Sequence, residues 1–195
     1  MTTDTRVPSR EEAWALVSEW TPNPNLRKHM LAVEAAMRGY ARRFGEDETL
    51  WGLVGLLHDF DYERFPSQEA GHPVKGVEHL RSLGYPEEIC RAILSHADYS
   101  GVPRTSRMEV ALHACDDLSG FVIAVALVRP GRSLEGVDAA AVRRKMKDKA
   151  FARAVDRDEM VHAAEALGVP FDEHVANIVE AMRGIAPDLG LTAGT

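Results

Sequence analysis

Apolar side chains recur along this chain every three or four positions, and strict alternation with β-branched residues is nearly absent, so the pattern predicts helices throughout. A first helix is expected from about Glu11 to Trp20. The run Thr21-Pro22-Asn23-Pro24-Asn25 stops it and offers Asn25 as a cap for the next helix, which extends to about Phe44. Beyond Gly45-Glu46-Asp47 comes a helix from Thr49 to about Asp59. Its residues Trp51, Leu53, Val54, Leu56 and Leu57 leave little polar face, as expected of an element buried in a core. A loop from Phe60 to Gly71 leads to His72-Pro73, and proline at a first helical position suits a helix from Pro73 to Leu83 that ends at Gly84. Further helices are expected from near Pro86 to Ala97 and from about Arg107 to Val128, where Pro130-Gly131 breaks the pattern. Three or four shorter helices follow Val137. The expectation is an all-α fold: one domain over 1–195, with a compact helical core over 20–130 and a C-terminal helical extension over 137–186 packed on it.

Composition narrows the picture. With 195 residues, 45% apolar and 27% charged, the chain can bury a full core without disulfides or structural staples. Cys90 and Cys115 lack zinc-ligand spacing and lie in apolar helical surroundings, so both are expected to be reduced core residues. A formal net charge of −7 argues against a nucleic-acid polymer as partner, because phosphate-backbone binding needs a broad basic surface. A small anionic, phosphate-containing substrate stays compatible with it if positive charge is local. The first residues, MTTDTRVPSREEAW, lack the pattern of a signal peptide. No stretch is expected to approach the roughly 20 apolar residues of a membrane span. The expected setting is the cytoplasm, without membrane contact.

Chemistry enters at Leu56-Leu57-His58-Asp59, where an imidazole and a carboxylate adjoin at the end of an otherwise apolar helix. Burying even a neutral polar group without a partner costs roughly 2–7 kcal/mol, so this pair requires a metal ion or a hydrogen-bond network. Other helices carry further donors: His29 mid-helix, His72 before a helix, His96 at a helix end, and Asp116 within the long apolar helix. The order along the chain is His, His-Asp, His, His, Asp.

In that order and spacing the sequence resembles the HD superfamily of metal-dependent phosphohydrolases, and in particular its small stand-alone predicted hydrolases. The resemblance covers Leu26 to Phe121 and extends through Ala126-Leu127-Val128-Arg129-Pro130 to Lys145–Phe151. It implies that His29, His58, Asp59 and Asp116 hold one metal ion, and that His72 and His96 hold a second with Asp59 bridging. Mixed imidazole and carboxylate donors suit Mn, Fe, Co, Ni or Zn. One or two such divalent ions are the expected cofactors, with a metal-activated hydroxide as nucleophile and Asp59 at the centre of the chemistry. In Ala114-Cys115-Asp116-Asp117 the family pattern favours Asp116 over Asp117. His113, one turn away, is the omitted ligand most worth watching. His79, His162 and His174 read as ordinary surface or structural residues.

Lys75, one turn after His72, is expected to meet a substrate phosphate, and a solvated lysine is the alternative reading. Phe60-Asp61-Tyr62-Glu63-Arg64 is a charged loop near the site able to position water or substrate. The basic run Arg143 to Lys149 stands either as a solvated face or as a local positive field. The leading expectation is hydrolysis of a nucleotide or other small phosphate ester. Two others stay open: a di-iron oxygenase of the HD type, and a catalytically silent metal- or nucleotide-binding module. The segment after Val137 is compatible with a cap over the site or with a homodimer contact.

Overall fold

The computed structural model describes residues 6–193, and among them there are ten α-helices and no strand. The chain opens with α1 (Arg10–Trp20), started by a reciprocal capping box between Ser9 and Glu12. Next comes α2 (Pro24–Phe44), which begins two residues earlier than its sequence suggests. Pro24 lacks an N–H and fits the first turn, so the cap is Asn23, whose side chain accepts from the Asn25 N–H at 2.9 Å. Asn25 itself is inside the helix. Then follow α3 (Glu48–Leu57), α4 (Val74–Ser82), α5 (Glu87–His96) and α6 (Arg107–Leu127). Pro73 stands just before α4 as its cap rather than as its first helical residue. The shorter helices expected after Val137 are four: α7 (Ala139–Met146), α8 (Arg157–Ala166), α9 (Phe171–Arg183) and α10 (Ala186–Leu189).

Helix α2 lies at the centre, packed along α3, α6 and α9, while α5, α7 and α8 also cover α6. Helices α2 and α3 come close at Gly55, where a Cβ would stand 2.8 Å from the Val33 carbonyl oxygen. Only glycine lets the two backbones come this near, and their closeness brings the start of α2 beside the end of α3. Glu34 of α2 is buried, and its carboxylate accepts from Arg10 (2.7 and 2.9 Å) and Arg38 (3.0 and 2.9 Å). A fully bonded carboxylate of this kind ties α1 to α2 without leaving a charge unpaired.

By length and composition α6 is apolar enough to cross a membrane, which the sequence was not expected to offer. In the fold it is the buried partner of six other helices instead. His174 of α9 confirms its structural reading. It is fully buried, accepts a hydrogen bond from the Tyr40 hydroxyl at Nδ1 and donates from Nε2 to the Ala114 carbonyl at 2.9 Å. Burial pushes its pKa down to about 4, so it stays neutral and locks α9 to α6 two residues before Asp116. Both cysteines are buried and unpaired, and burial pushes their thiols up.

Candidate metal centre

Four imidazoles and two carboxylates meet in the space between α2, α3, α5 and α6. His29 comes from the second turn of α2, His58 caps α3, Asp59 begins the turn beyond it, His72 precedes α4, His96 ends α5 and Asp116 lies midway along α6. They form two groups able to hold an ion: His29, His58 and Asp116 in one, Asp59, His72 and His96 in the other. In the first, His29 Nε2 stands 3.2 Å from His58 Nε2 and 3.0 Å from Asp116 Oδ1, and His58 Nε2 is 3.4 Å from that same oxygen. In the second, His72 Nε2 and His96 Nε2 are 3.3 Å apart. Asp59 faces both: Oδ2 is 3.5 Å from His58 Nε2, and Oδ1 is 3.3 Å from His72 Nε2 and 3.5 Å from His96 Nε2.

The outward ring nitrogens define which atoms face inward. His58 Nδ1 donates to the Gly55 carbonyl at 2.8 Å, His96 Nδ1 donates to the Ile93 carbonyl, and His72 Nδ1 donates to Asp61 Oδ1 at 2.7 Å. With the proton fixed on Nδ1, each Nε2 presents a lone pair to the centre. Lone pairs this close to one another and to carboxylate oxygens repel unless positive charge lies among them, so the donor set fits divalent transition-metal ions.

In the ion-free protein that positive charge comes from protons. Burial opposes charging His58, but Asp59 and Asp116 outweigh it and raise its pKa to about 9; His96 is raised in the same way, chiefly by Asp59. Both aspartates are held well below the usual carboxylate range by the surrounding imidazoles despite their burial. A histidine raised from 6.5 to about 9 on folding stabilises the ion-free protein fully below pH 6.5 and loses that contribution as pH rises through 9. Metal ions need the neutral ring and therefore compete with these protons. The expected result is that added Ni or Zn raises the melting temperature more at about pH 8.5 than at about pH 6, relative to chelator-treated protein. A metal-induced shift that is equal or smaller at the higher pH would contradict this.

Other candidates fall outside the centre. Lys75 joins neither group; half-exposed on α4, its Nζ pairs with Glu78 at 2.8 Å. His113 points away from Asp116, bonding Glu159 at 2.8 Å and the His96 carbonyl at 3.3 Å, so it is not the omitted ligand. Asp117 also lies outside both groups, and burial with the neighbouring Asp116 pushes it up to about 6. His79 packs on Trp20, and His162 of α8 lines a surface cleft between that helix and α6. The residue that sequence reasoning passed over is Asp61. It is buried, holds His72 through Oδ1, and accepts the Gly76 N–H at Oδ2 at 2.9 Å.

The sequence model of the HD domain matches residues 26–125, just over half of the chain and a stretch that contains all six converging residues. The chain belongs to the HD-domain family. That membership places it in a superfamily of metal-dependent phosphohydrolases. Curated relatives include ribonuclease Y of Desulfotalea psychrophila, 29% identical over 144 residues that cover 69% of this chain and 26% of the relative. Ribonuclease Y of Staphylococcus epidermidis is 30% identical over 142 residues, covering 73% and 25%. Ribonuclease Y of Oleidesulfovibrio alaskensis is 31% identical over 111 residues, covering 57% and 20%. This HD-domain chain thus spans about a quarter or less of the length of these relatives. No solved structure matches it.

Proposed function

We propose that this HD-domain protein hydrolyses a nucleotide or other small phosphate ester at a two-ion centre made by His29, His58, Asp59, His72, His96 and Asp116. The observation that carries the reading is the division of Asp59, one oxygen toward each set of imidazoles. Ions bound there supply Lewis acidity toward a phosphate oxygen and lower the pKa of a water molecule. The chain's own part is to hold the donors still. His58, His72 and His96 are buried with their tautomers fixed, whereas Asp59 and Asp116 keep some exposure and mark the side from which substrate arrives. Lys75 is the proposed phosphate-binding cation. Its exposed pair with Glu78 is worth about 0–1 kcal/mol, weak enough to be exchanged for a substrate phosphate. Residues 137–186 we read as a helical extension of the same domain, since α7, α8 and α9 all pack on α6.

A second reading has an RNA chain as substrate. It is supported by the ribonuclease Y relatives and by residues 129–157, where nine basic side chains stand against four acidic ones in an otherwise acidic protein.

The test is elemental analysis of untagged protein after reconstitution with Mn, Fe, Co, Ni or Zn, followed by assays on 5′-nucleotides, p-nitrophenyl phosphate and single-stranded RNA. About two ions per chain with phosphate release from a small ester support the proposal. Cleavage confined to RNA selects the second reading, turnover that needs dioxygen selects oxygenase chemistry, and absence of any bound ion defeats the metal-dependent reading altogether.

A further inference from the structure

Among the described residues, seven large apolar side chains are exposed: Val7, Tyr62, Val74, Leu83, Tyr99, Leu127 and Val128. Three of these follow a residue of the Asp59–His72–His96 group by two or three positions: Tyr62 after Asp59, Val74 after His72 and Tyr99 after His96. None of the seven stands so close in sequence to His29 or Asp116. The exposed apolar residues that lie nearest the centre in sequence thus follow one of its two halves.

Each tyrosine is fixed by its backbone. The Tyr62 N–H donates to the Asp59 carbonyl at 3.0 Å, which turns the chain so that the Tyr62 ring meets His72 edge-on, with centroids 5.2 Å apart and planes at 85°. Its other side is open, and 38% of the residue is exposed. Tyr99 lies in the 3-10 turn Asp98–Ser100 just beyond His96. Arg104 clamps that turn, donating to the Ser95 carbonyl at 2.8 Å and to Asp98 at 2.6 Å, and Gly101 closes it with φ 70°. Tyr99 is 44% exposed, yet its hydroxyl feels the centre: burial and then the charges of Asp59 and Asp61 push it up to about 12, with Tyr62 contributing as well. Tyr62 lies against His72, Tyr99 sits in the turn that follows His96, and the Nε2 atoms of those two histidines are 3.3 Å apart, so two solvent-open tyrosines flank the second ion group as an aromatic rim.

Resting on the phosphohydrolase reading, we infer that Tyr62 and Tyr99 determine specificity by stacking on a planar aromatic group of the substrate, which selects nucleoside phosphates over phosphate esters of sugars or alkyl alcohols. Exposed tyrosine faces suit this task because stacking on a base needs a flat π surface and little hydrogen-bond geometry. Val74, two residues beyond His72, is exposed as well.

The experiment compares a purine nucleoside 5′-monophosphate with glycerol 3-phosphate on the metal-loaded protein, taking the ratio of their kcat/KM values as the readout. Tyr99→Leu and Tyr62→Leu are each expected to lower that ratio about tenfold or more, whereas Tyr99→Phe and Tyr62→Phe, which keep the ring, retain it. Leu127→Ala, at an exposed apolar position on the last residue of α6, is a control expected to leave the ratio alone. A parental ratio near one, Leu variants that keep the parental ratio, or Phe variants that fall as far as Leu variants would overturn the inference. Calorimetric binding of the nucleoside monophosphate to the metal-loaded protein separates this outcome from failure of the hydrolytic reading. If no ester is turned over but Tyr99→Leu still weakens binding about tenfold while Tyr99→Phe does not, the rim stands and hydrolysis falls.

Discussion

Asp59→Ala is expected to empty both ion groups at once and to lower hydrolysis by at least about a hundredfold, the scale on which loss of a single electrostatic stabiliser acts at a reacting centre. The reason is geometric. Asp59 is the one side chain of the six whose two donor atoms face different sets of imidazoles, Oδ2 toward His29 and His58, Oδ1 toward His72 and His96. Asp116→Ala removes a carboxylate from the first group only, so its metal content should fall toward one ion per chain rather than none. Elemental analysis of both variants beside the parent, with thermal unfolding to show that each is folded, makes the comparison. An Asp59→Ala protein that keeps the parental metal content would mean that the two groups do not share this carboxylate.

The second large effect is expected one layer out. Asp61→Ala leaves His72 Nδ1–H without its acceptor and should weaken metal binding about 10–100-fold, the usual scale for partners that orient a metal-ligating histidine. Gly76→Ala should reproduce much of that loss without removing any polar atom. A Cβ at position 76 would stand 2.6 Å from Asp61 Cγ and 2.7 Å from its Oδ2, so the carboxylate would have to leave the position from which it holds both His72 and the Gly76 N–H. Competition titration with a chromogenic chelator gives the affinities. If Asp61→Ala binds metal as tightly as the parent, the carboxylate is a fold element and not an orienting one.

These two sites show how unevenly the centre was written in the sequence. His58-Asp59 stands out because two polar side chains end a helix whose other residues are apolar, and burial makes such a pair demand a partner. His29, His72, His96 and Asp116 carried no comparable local signal; the resemblance to a known family picked them out, and the fold brings them together. Asp61 was not legible. In Phe60-Asp61-Tyr62-Glu63-Arg64 nothing separates a buried carboxylate from its solvated neighbours, and only the turn after α3 and the glycine in α4 select it. His113 failed for the opposite reason. Three residues from Asp116, it seemed to share its face, yet a helix turns about 100° per residue, and the remaining offset sends His113 to Glu159. The all-helical architecture was plain from periodicity, and what periodicity missed was local, such as the cap that belongs to Asn23 because Pro24 follows it.

Two of the helices, α3 and α5, terminate at the centre, one capped by His58 and the other ending on His96, and in each the histidine donates back to the carbonyl three residues before it. A helix carries about half a negative charge at its C-terminal end. Two such ends add to Asp59 and Asp116, and in the ion-free protein the protons on His58 and His96 do no more than offset that negative potential. On the two-ion proposal an order of events follows: a phosphate ester finds little attraction at the centre until cations have displaced those protons.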